Sequence, residues 1–446
     1  MSARNRELLA LIPASLLLTV GFTAIFVQRE TGSASGALRI SPHVSNASLT
    51  YGLLFLGLCV AAHIVLRVTL PDADPYLFPL VALLACFGLV MIYRIDATLA
   101  RQQAQWFVFG LILFAGTIVA FRDYRRLERY RYTIAAIGLA LLVLPRVPGF
   151  GVQTNGAYLG VRIPGVFIFQ PAEFAKIAIV IFLASYLRDT RQVLVQGARR
   201  ILGITLPPLK HFGPVLVVWG TAMLMLVVIR DLGSSLMFFG GFLAILYVAT
   251  NRFSFVFIGL LMFGLGAWFL GTHVGHVHDR VEAWLHPFNT VIYNKVGGSY
   301  QIAQSLFAQA DGGLFGQGFG QAVLTLPGPH HLPLLPAPQT DTIYAVVTDE
   351  LGLFGAVGLL TVYLLIVQRG FKTAMLARDS FSTLLATGLT SVFALQVFVI
   401  VGGVTRVIPL TGVTLPFVSY GGSSIVANFV LLALLLLVSD RARRPA

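Results

Sequence analysis

Long apolar runs constrain the fold of this chain more than any other feature. About twelve runs of roughly 17–25 predominantly apolar residues follow one another along the sequence, and each is long enough to cross a bilayer as an α-helix. With 57% hydrophobic and only 11% charged residues, the chain is unlike a soluble domain, in which about 25% are charged. The predicted spans are 7–27, 49–69, 76–96, 104–121, 132–149, 172–188, 211–229, 232–250, 252–271, 343–368, 381–402 and 420–438.

The positive charges lie in alternate loops between these runs. A net charge of +13 could indicate a nucleic-acid partner, but the basic residues form short clusters between spans and no continuous basic face. Loops 122–131, 189–210 and 369–378 are rich in arginine, which places them and both termini on the cytoplasmic side. The long segment 272–342 is then extracytoplasmic. We predict a multi-pass membrane protein with no nucleic-acid partner.

The segment from Gly298 to Gly355 is interrupted by glycine and proline in its first part and carries acids near an apolar span. Asp341 lies at the mouth of the span 343–368, and Asp349 and Glu350 lie about two turns further in. Ionisable groups at membrane depth are functional candidates, because burying them is costly. Asp341 is therefore the first candidate for a catalytic group; helix capping is the alternative.

A second polar stretch precedes the span 172–188. Arg162 is a lone positive charge on the outer side, and Gln170-Pro171 leads into a helix. Glu173 and Lys176 have i, i+3 spacing, so they share a helix face and can form an ion pair. They either form a packing ion pair or line a polar cavity that meets a charged headgroup.

A third polar stretch, residues 403–424, is broken by prolines and glycines. Irregular backbone at membrane depth is tolerated where it is buried in protein or lines a wet cavity. Ser419, Tyr420 and Ser423 are therefore candidate cavity residues, and close helix packing by small residues is the alternative. Arg280 and Arg406 are further positive charges on the outer side.

Two other residue types are weaker signals. The histidines at 273, 276 and 278 have H-x-x-H-x-H spacing, which matches no strong metal-ligand template, so solvated histidines are the favoured interpretation. Asp231 is placed to cap the span that follows it, and a catalytic role is the alternative. Cys59 and Cys86 lie inside apolar spans and are expected to be buried thiols.

Eight motifs follow one another in order between residues 155 and 424. They are Asn155-Gly156-Ala157; Gln170-Pro171 with Glu173, Phe174 and Lys176; Asp231-Leu232-Gly233; Gly298, Tyr300, Gln301, Gln304 and Ser305; the glycines from Gly312 to Gly320; Thr340-Asp341; Glu350-Leu351-Gly352; and Pro416-Phe417 with Ser419 to Ser424. This ordered set resembles the SEDS family of bacterial peptidoglycan glycosyltransferases, the RodA and FtsW proteins, which implies location in a bacterial plasma membrane. The family's basic residue and Trp after the Asn-Gly-Ala turn are replaced here by Tyr158 and Gly160, with Arg162 as the nearest positive charge.

The resemblance implies an all-α polytopic membrane protein. Its ten-helix glycosyltransferase core would cover residues 76–446, with a large extracytoplasmic loop at 272–342 between helices nine and ten of the whole chain. Residues 1–75 would be a two-helix N-terminal extension of the kind carried by actinobacterial RodA-like members. The short basic tail also resembles RodA more than FtsW.

The resemblance also implies a reaction and a partner. The reaction is polymerisation of lipid II with release of undecaprenyl pyrophosphate, and Asp341 would be the general base. Lys176 would be the first candidate to stabilise the pyrophosphate, followed by Arg162, Arg280 and Arg406; a divalent cation, Mg²⁺ or Mn²⁺, is the other possibility. The expected partner is a class B penicillin-binding protein acting as transpeptidase. A lipid II flippase and a non-catalytic scaffold of the elongation or division complex remain as alternatives.

Overall fold

The fold was analysed in a computed structural model of the 446-residue chain. The structure describes residues 3–31, 42–154, 157–163, 167–196, 199–201, 204–206, 231–295, 298–325 and 333–444, with a few positions between 213 and 224. The predicted span 211–229, Asn155, Gly156, His330 and His331 therefore lie wholly or largely outside the described residues.

Helices make up most of the described residues. They are α1 Ala3–Thr31, α2 Pro42–Thr69, α3 Leu77–Ile95, α4 Ala97–Ala120, α5 Arg126–Arg129, α6 Arg131–Val143, α7 Pro171–Gln196, α8 Leu232–Thr250, α9 Phe253–His273, α10 Gly275–Leu285, α11 Thr290–Tyr293, α12 Tyr300–Gly312, α13 Ile343–Leu376, α14 Ser380–Val404 and α15 Gly422–Arg443. Short strands lie between α6 and α8: β1 Gly151–Thr154, β2 Ala157–Ile163, β3 Phe167–Phe169, β4 Arg199–Ile201 and β5 Ile204–Leu206.

Nine helices in the described part of the chain are long and apolar enough to cross a membrane. They are α1 to α4, α8, α9 and α13 to α15, and they confirm the prediction of a polytopic helical membrane protein. Helix α7 covers the predicted span 172–188 but carries Glu173 and Lys176 in its first turns and Arg188 near its end.

Three segments differ from the predicted pattern. The predicted span 132–149 contains the 13-residue helix α6 and a 3-10 turn at Leu144–Arg146, because Pro145 cannot continue an α-helix. Strands β1, β2 and β3 then form an antiparallel sheet that the sequence reading had treated as turns. The predicted loop 272–342 contains helices α10, α11 and α12.

The chain forms two compact units. The first consists of Met1–Val119, Gln301–Arg369 and Thr414–Leu436, and the second of Ala120–Tyr300, Gly370–Val413 and Leu437–Ala446. The proposed boundary of the extension at residue 75 stays a prediction.

The first unit contains a buried cluster of aromatic rings that pack edge to face. Phe429 lies 5.6 Å from Phe107 and 5.1 Å from Phe417, measured between ring centroids, and all three side chains are buried. Helices α1 and α2 are joined by a buried cluster, in which Glu7 pairs with Arg4 and lies 3.0 Å from Nδ1 of His63. Cys59 and Cys86 are buried free thiols, as predicted.

The second unit packs α7, α8 and α14 against one another. Its apolar contacts include Met237, Val399 and Val413, which are buried together. At one end of the unit, the hydroxyl groups of Tyr124 and Ser382 lie 2.6 Å apart in a buried hydrogen bond. Met237 and Val399 pack α8 against α14, and the first turns of α7 in the same unit carry Glu173 and Lys176.

Candidate active site

The predicted site residues fall into two groups, one in each unit. Asp341, Ser419, Tyr420 and Ser423 belong to the first unit. The second unit holds the others, which are Arg162, Gln170, Glu173, Lys176, Arg280 and Arg406. Each group is described by its own contacts.

Asp341 is half-buried and lies two residues before the first residue of α13. Thr342 occupies the N-cap position, and its hydroxyl donates to the carbonyl oxygen of Pro336 at 2.8 Å. The turn depends on Ala337, whose φ of 50° is in the left-handed region that non-glycine residues rarely adopt. Strain of about 1–3 kcal/mol at such a position persists only when the surroundings hold it, which is typical of functional sites.

The segment from Leu415 to Gly421 holds the backbone beside Asp341. Ser419 Oγ donates to the carbonyl oxygen of Thr340 at 2.7 Å, and it accepts the N–H of Leu415 at 2.9 Å. The N–H of Tyr420 donates to the carbonyl oxygen of Gln339 at 2.8 Å. Two consecutive residues of this motif therefore bind the two peptide units that precede Asp341.

The same segment is anchored to α4 by two glutamines. Gln103, which is buried, donates to the carbonyl oxygen of Ser419 at 3.2 Å and accepts the N–H of Gly421 at 3.2 Å. The hydroxyl group of Tyr420 donates to Oε1 of Gln102 at 2.5 Å. Ser423, in the first turn of α15, is 6% exposed.

Arg94 is a residue that the sequence reading missed. Its Nε lies 2.9 Å from Oε1 of Glu350, a side chain with no exposed surface, and its Nη2 donates to the carbonyl oxygens of Gly320 and Ala322. Glu350 also accepts the N–H of Gly320 at 2.9 Å. This buried pair ties the end of α3 to the glycine-rich segment 312–322, and the only sequence signal was a charge at the end of an apolar span.

Glycine is required where this segment meets α13. Gly352 has a φ of 65° and interrupts the helical geometry inside α13, and Gly316 has a φ of 82°. A Cβ on Gly352 would lie 2.3 Å from the backbone nitrogen of Gly316, and a Cβ on Gly316 would lie 2.2 Å from the carbonyl oxygen of Glu350. The backbones therefore touch, with Asp349 and Glu350 buried at the break.

Glu173 and Lys176 form the ion pair that their spacing predicted. Lys176 Nζ lies 2.6 Å from Oε2 of Glu173 and 2.7 Å from Oε1 of Gln396 on α14. Glu173 is 6% and Lys176 is 2% exposed. An ammonium group has three donors, and two of them are used by these contacts. The pair therefore joins the start of α7 to α14 inside the second unit.

Asp231 and Arg280 extend the charged group of the second unit. Asp231 caps α8, because its Oδ1 accepts the N–H of Ser234 at 2.9 Å. Its carboxylate lies within electrostatic range of Glu173 and Arg280. Arg280 is half-buried and donates to the carbonyl oxygen of Leu410 at 3.0 Å.

The remaining candidates have different surroundings. Arg406, with a φ of 61°, donates to the carbonyl oxygens of Trp284 and Leu285 at 2.8 Å each, so its guanidinium fastens α10. Arg162 lies in β2 and its side chain is exposed. Gln170 is half-buried and precedes the first residue of α7.

The described residues contain no group of three or more His, Cys, Asp or Glu side chains that could hold a metal ion. His273 Nδ1 lies 3.0 Å from the carbonyl oxygen of Phe269, and His278 Nδ1 lies 3.0 Å from that of Gly271. Both imidazoles thus make local contacts with backbone carbonyls.

Comparison with known proteins identifies the family. Residues 75–444 match the FtsW/RodA/SpoVE family, described as "Cell cycle protein". The chain is 40% identical to a Mycobacterium tuberculosis protein named "Peptidoglycan glycosyltransferase RodA", covering 99% of this chain and 92% of that protein.

Two solved structures have the same fold. One is described as "Structural coordination of polymerization and crosslinking by a peptidoglycan synthase complex"; it has a TM-score of 0.65 and 26% identity, and the match covers 84% of this chain and 99% of the other. The other is the Thermus thermophilus rod shape determining protein RodA, with a TM-score of 0.58 and 25% identity over 84% of this chain and 98% of the other. The chain therefore belongs to the FtsW/RodA/SpoVE family, as a multi-pass membrane protein of the peptidoglycan glycosyltransferase class.

Proposed function

We propose that the chain polymerises lipid II into glycan strands and that Asp341 is its general base. In this reaction a sugar 4-hydroxyl attacks the anomeric carbon of a lipid-linked sugar. The new glycosidic bond forms as the bond to undecaprenyl pyrophosphate breaks, which inverts the anomeric centre, and the hydroxyl proton passes to the base. The observation that carries the assignment is the half-buried Asp341, whose neighbouring peptides are held by Ser419, Tyr420 and Thr342.

A positioned carboxylate contributes about 10²–10⁴-fold to the rate of such a proton transfer. Asp341 also lies close to the N-terminus of α13, whose dipole favours the ionised form needed in a base. The rigid turn restricts where the carboxylate can lie, which is the requirement for positioning a base before the reaction.

Positive charge must stabilise the pyrophosphate that leaves. We assign this role to Arg280 and Arg162. Arg280 is half-buried and Arg162 is exposed, so a ligand outside the protein can reach both side chains. Lys176 ranks behind them in this proposal, since its ammonium group is buried and already binds Glu173 and Gln396. Arg406 ranks last because its guanidinium binds two backbone carbonyls.

A divalent cation, Mg²⁺ or Mn²⁺, remains a candidate cofactor. The described residues do not supply the donor set of a protein-only metal cage. Mg²⁺ usually binds through one or two carboxylates together with substrate phosphates, so the pyrophosphate itself would have to supply most of the ligands. We assign no step of the reaction to a metal.

We further propose that a class B penicillin-binding protein binds the outer end of α13. Phe315 and Phe354 stack there with their ring centroids 5.3 Å apart, and they are 79% and 64% exposed. Leu353 and Val357 extend this apolar surface in the same unit. Exposed apolar side chains on a spanning helix face either lipid tails or another spanning helix, and we assign this surface to the helix of the partner.

Labelled lipid II supplied to the purified protein tests the activity and the partner together. We expect glycan polymer on a gel, and more polymer when the partner is added. The double variant F315S/F354S should retain basal activity and lose the activation. The matched control, F253S, replaces a phenylalanine that is 67% exposed on α9 and should be activated normally. Absence of polymer with every class B partner of the host would exclude the enzymatic proposal and favour a flippase or a scaffold.

The orientation of the chain is also a proposal, with both termini cytoplasmic. It is testable with single cysteines, because Cys59 and Cys86 are buried and should not react with a membrane-impermeant maleimide. Phe288→Cys, at an exposed position of the segment 272–342, should be labelled on intact spheroplasts. Gln192→Cys, at an exposed position near the end of α7, should be labelled only after the membrane is opened. The reverse pattern would invert the topology.

A further inference from the structure

A cavity of about 190 Å³ lies in the second unit, remote in sequence from the family motifs. It is formed where four segments meet: the end of α7 at Arg191, the end of α8 at Val248, the turn at Ala377–Asp379, and the first turns of α14. By the distribution of arginines, these ends lie on the cytoplasmic side.

The lining is polar and basic on one side. Arg191 and Arg378 contribute two guanidinium groups, and Ser380 and Thr383 contribute hydroxyl groups. Arg378 uses one nitrogen to bind the carbonyl oxygen of Arg444. A guanidinium has five N–H donors in a planar fork, so most of its donors remain for a ligand.

Asp379 is the one acid among the described lining residues, and the charge of its carboxylate is balanced by the guanidinium of Arg125. Burial would raise the pKa of Asp379, but the N–H of Ser382 and the guanidinium of Arg125 outweigh that effect and hold the pKa below its usual range. Arg125 Nη2 lies 2.7 Å from Oδ2 of Asp379, and the N–H of Ser382 lies 3.0 Å from Oδ1. The charges of Arg191 and Arg378 are therefore not cancelled by Asp379.

Two further features favour an anion with an apolar tail. The cavity includes the first turns of α14, a helix of 25 residues whose N-terminal dipole favours negative charge, part of which Asp379 already supplies as the N-cap residue. Its other wall is formed by Val248 and Leu384. Val248 is 41% exposed, so the apolar wall continues to the surface of the helices. The two arginines can bind a phosphate diester, and the apolar wall can contact acyl chains.

We propose that this cavity binds the phosphate of an anionic phospholipid headgroup. Basic pockets between spanning helices on the cytoplasmic side bind such headgroups, and each arginine near the surface contributes about fivefold to the affinity. The inference uses the proposed orientation but does not depend on glycosyltransferase activity. A headgroup there would connect the ends of α7, α8 and α14, which also carry Lys176, Asp231 and Gln396 further along the same unit.

The test measures binding of phosphatidylglycerol to the purified full-length chain by native mass spectrometry and thermal shift, with phosphatidylcholine and inorganic phosphate as parallel probes. The double variant R191Q/R378Q should bind phosphatidylglycerol about 25-fold more weakly. The control R122Q/R129Q removes the same charge from exposed arginines of the same unit and should bind within twofold of the wild type. R191K/R378K should regain part of the affinity, because lysine keeps the charge but lacks the planar fork.

Each outcome decides for or against the site. Selective loss in R191Q/R378Q, with an unchanged midpoint of thermal unfolding before lipid is added, supports it. Equal loss in both glutamine variants would mean diffuse surface attraction and would overturn the proposal. Equal binding of phosphatidylcholine, or a thermal shift given by inorganic phosphate but not by phosphatidylglycerol, would overturn the assignment to an anionic lipid.

Discussion

Asp341→Asn should abolish most of the polymerisation of lipid II while leaving the protein folded. Asparagine preserves the size of the side chain and a hydrogen-bonding oxygen, but it cannot accept the proton of the attacking hydroxyl. We expect the rate of polymer formation to fall by about 10²–10⁴-fold. Because Thr342 occupies the N-cap position of α13, the change should not cost the 0.5–2 kcal/mol or so that loss of a cap typically costs.

The control for this variant is Asp279→Asn, which removes an acid from the same segment, 272–342. Asp279 pairs with Lys295 at 2.7 Å, and both side chains are about half exposed, so its loss should leave the rate and the thermal midpoint nearly unchanged. Both variants should still bind the class B partner. Polymerisation by Asp341→Asn near the wild-type rate would show that Asp341 is not the base.

The membrane architecture was predictable because length and hydropathy decide it. A bilayer accepts only segments whose backbone groups are paired internally, so runs of 17–25 apolar residues have few alternatives to helix. The prediction failed outside the membrane-spanning runs, where the bilayer does not impose this requirement. The strands β1 to β3 are short and are stabilised by pairing with one another. Helix α12 follows glycines that are typical of a loop, so its start could not be recognised from the sequence.

The candidate site was predictable only in its local part. The spacing of Glu173 and Lys176 fixed their pairing because both lie on one helix. The contact between Ser419 and Thr340 joins residues 79 positions apart, and the pair of Arg94 and Glu350 joins α3 to α13. Such partners are determined by tertiary packing, so they cannot be predicted from residue spacing along one helix. The contact of Gln396 with Lys176 was likewise not predicted, because no sequence pattern indicates which residue a single glutamine in an apolar helix will contact.

Removing one charge of the buried pair in the second unit should be strongly destabilising. Glu173→Ala leaves the Lys176 ammonium group in a site where 2% of the residue is exposed, and among the described residues Gln396 remains as its hydrogen-bond partner. Breaking a buried pair in this way costs about 3–5 kcal/mol, because the remaining charge is uncompensated. The free energy of unfolding from a detergent titration measures the loss. Asp279→Ala breaks an exposed lysine pair and should cost no more than about 1 kcal/mol.

The charge swap Glu173→Lys with Lys176→Glu separates a structural role from a direct one. The swap keeps an ion pair at the same spacing, and the amide of Gln396 can turn to offer its NH₂ group in place of its oxygen. Stability should therefore recover by more than half of the loss seen in Glu173→Ala. If polymerisation recovers with it, the pair acts by holding α7 on α14; if stability returns without activity, one of the two charges contacts the substrate. A Glu173→Ala protein as stable as Asp279→Ala would contradict the burial of the pair itself.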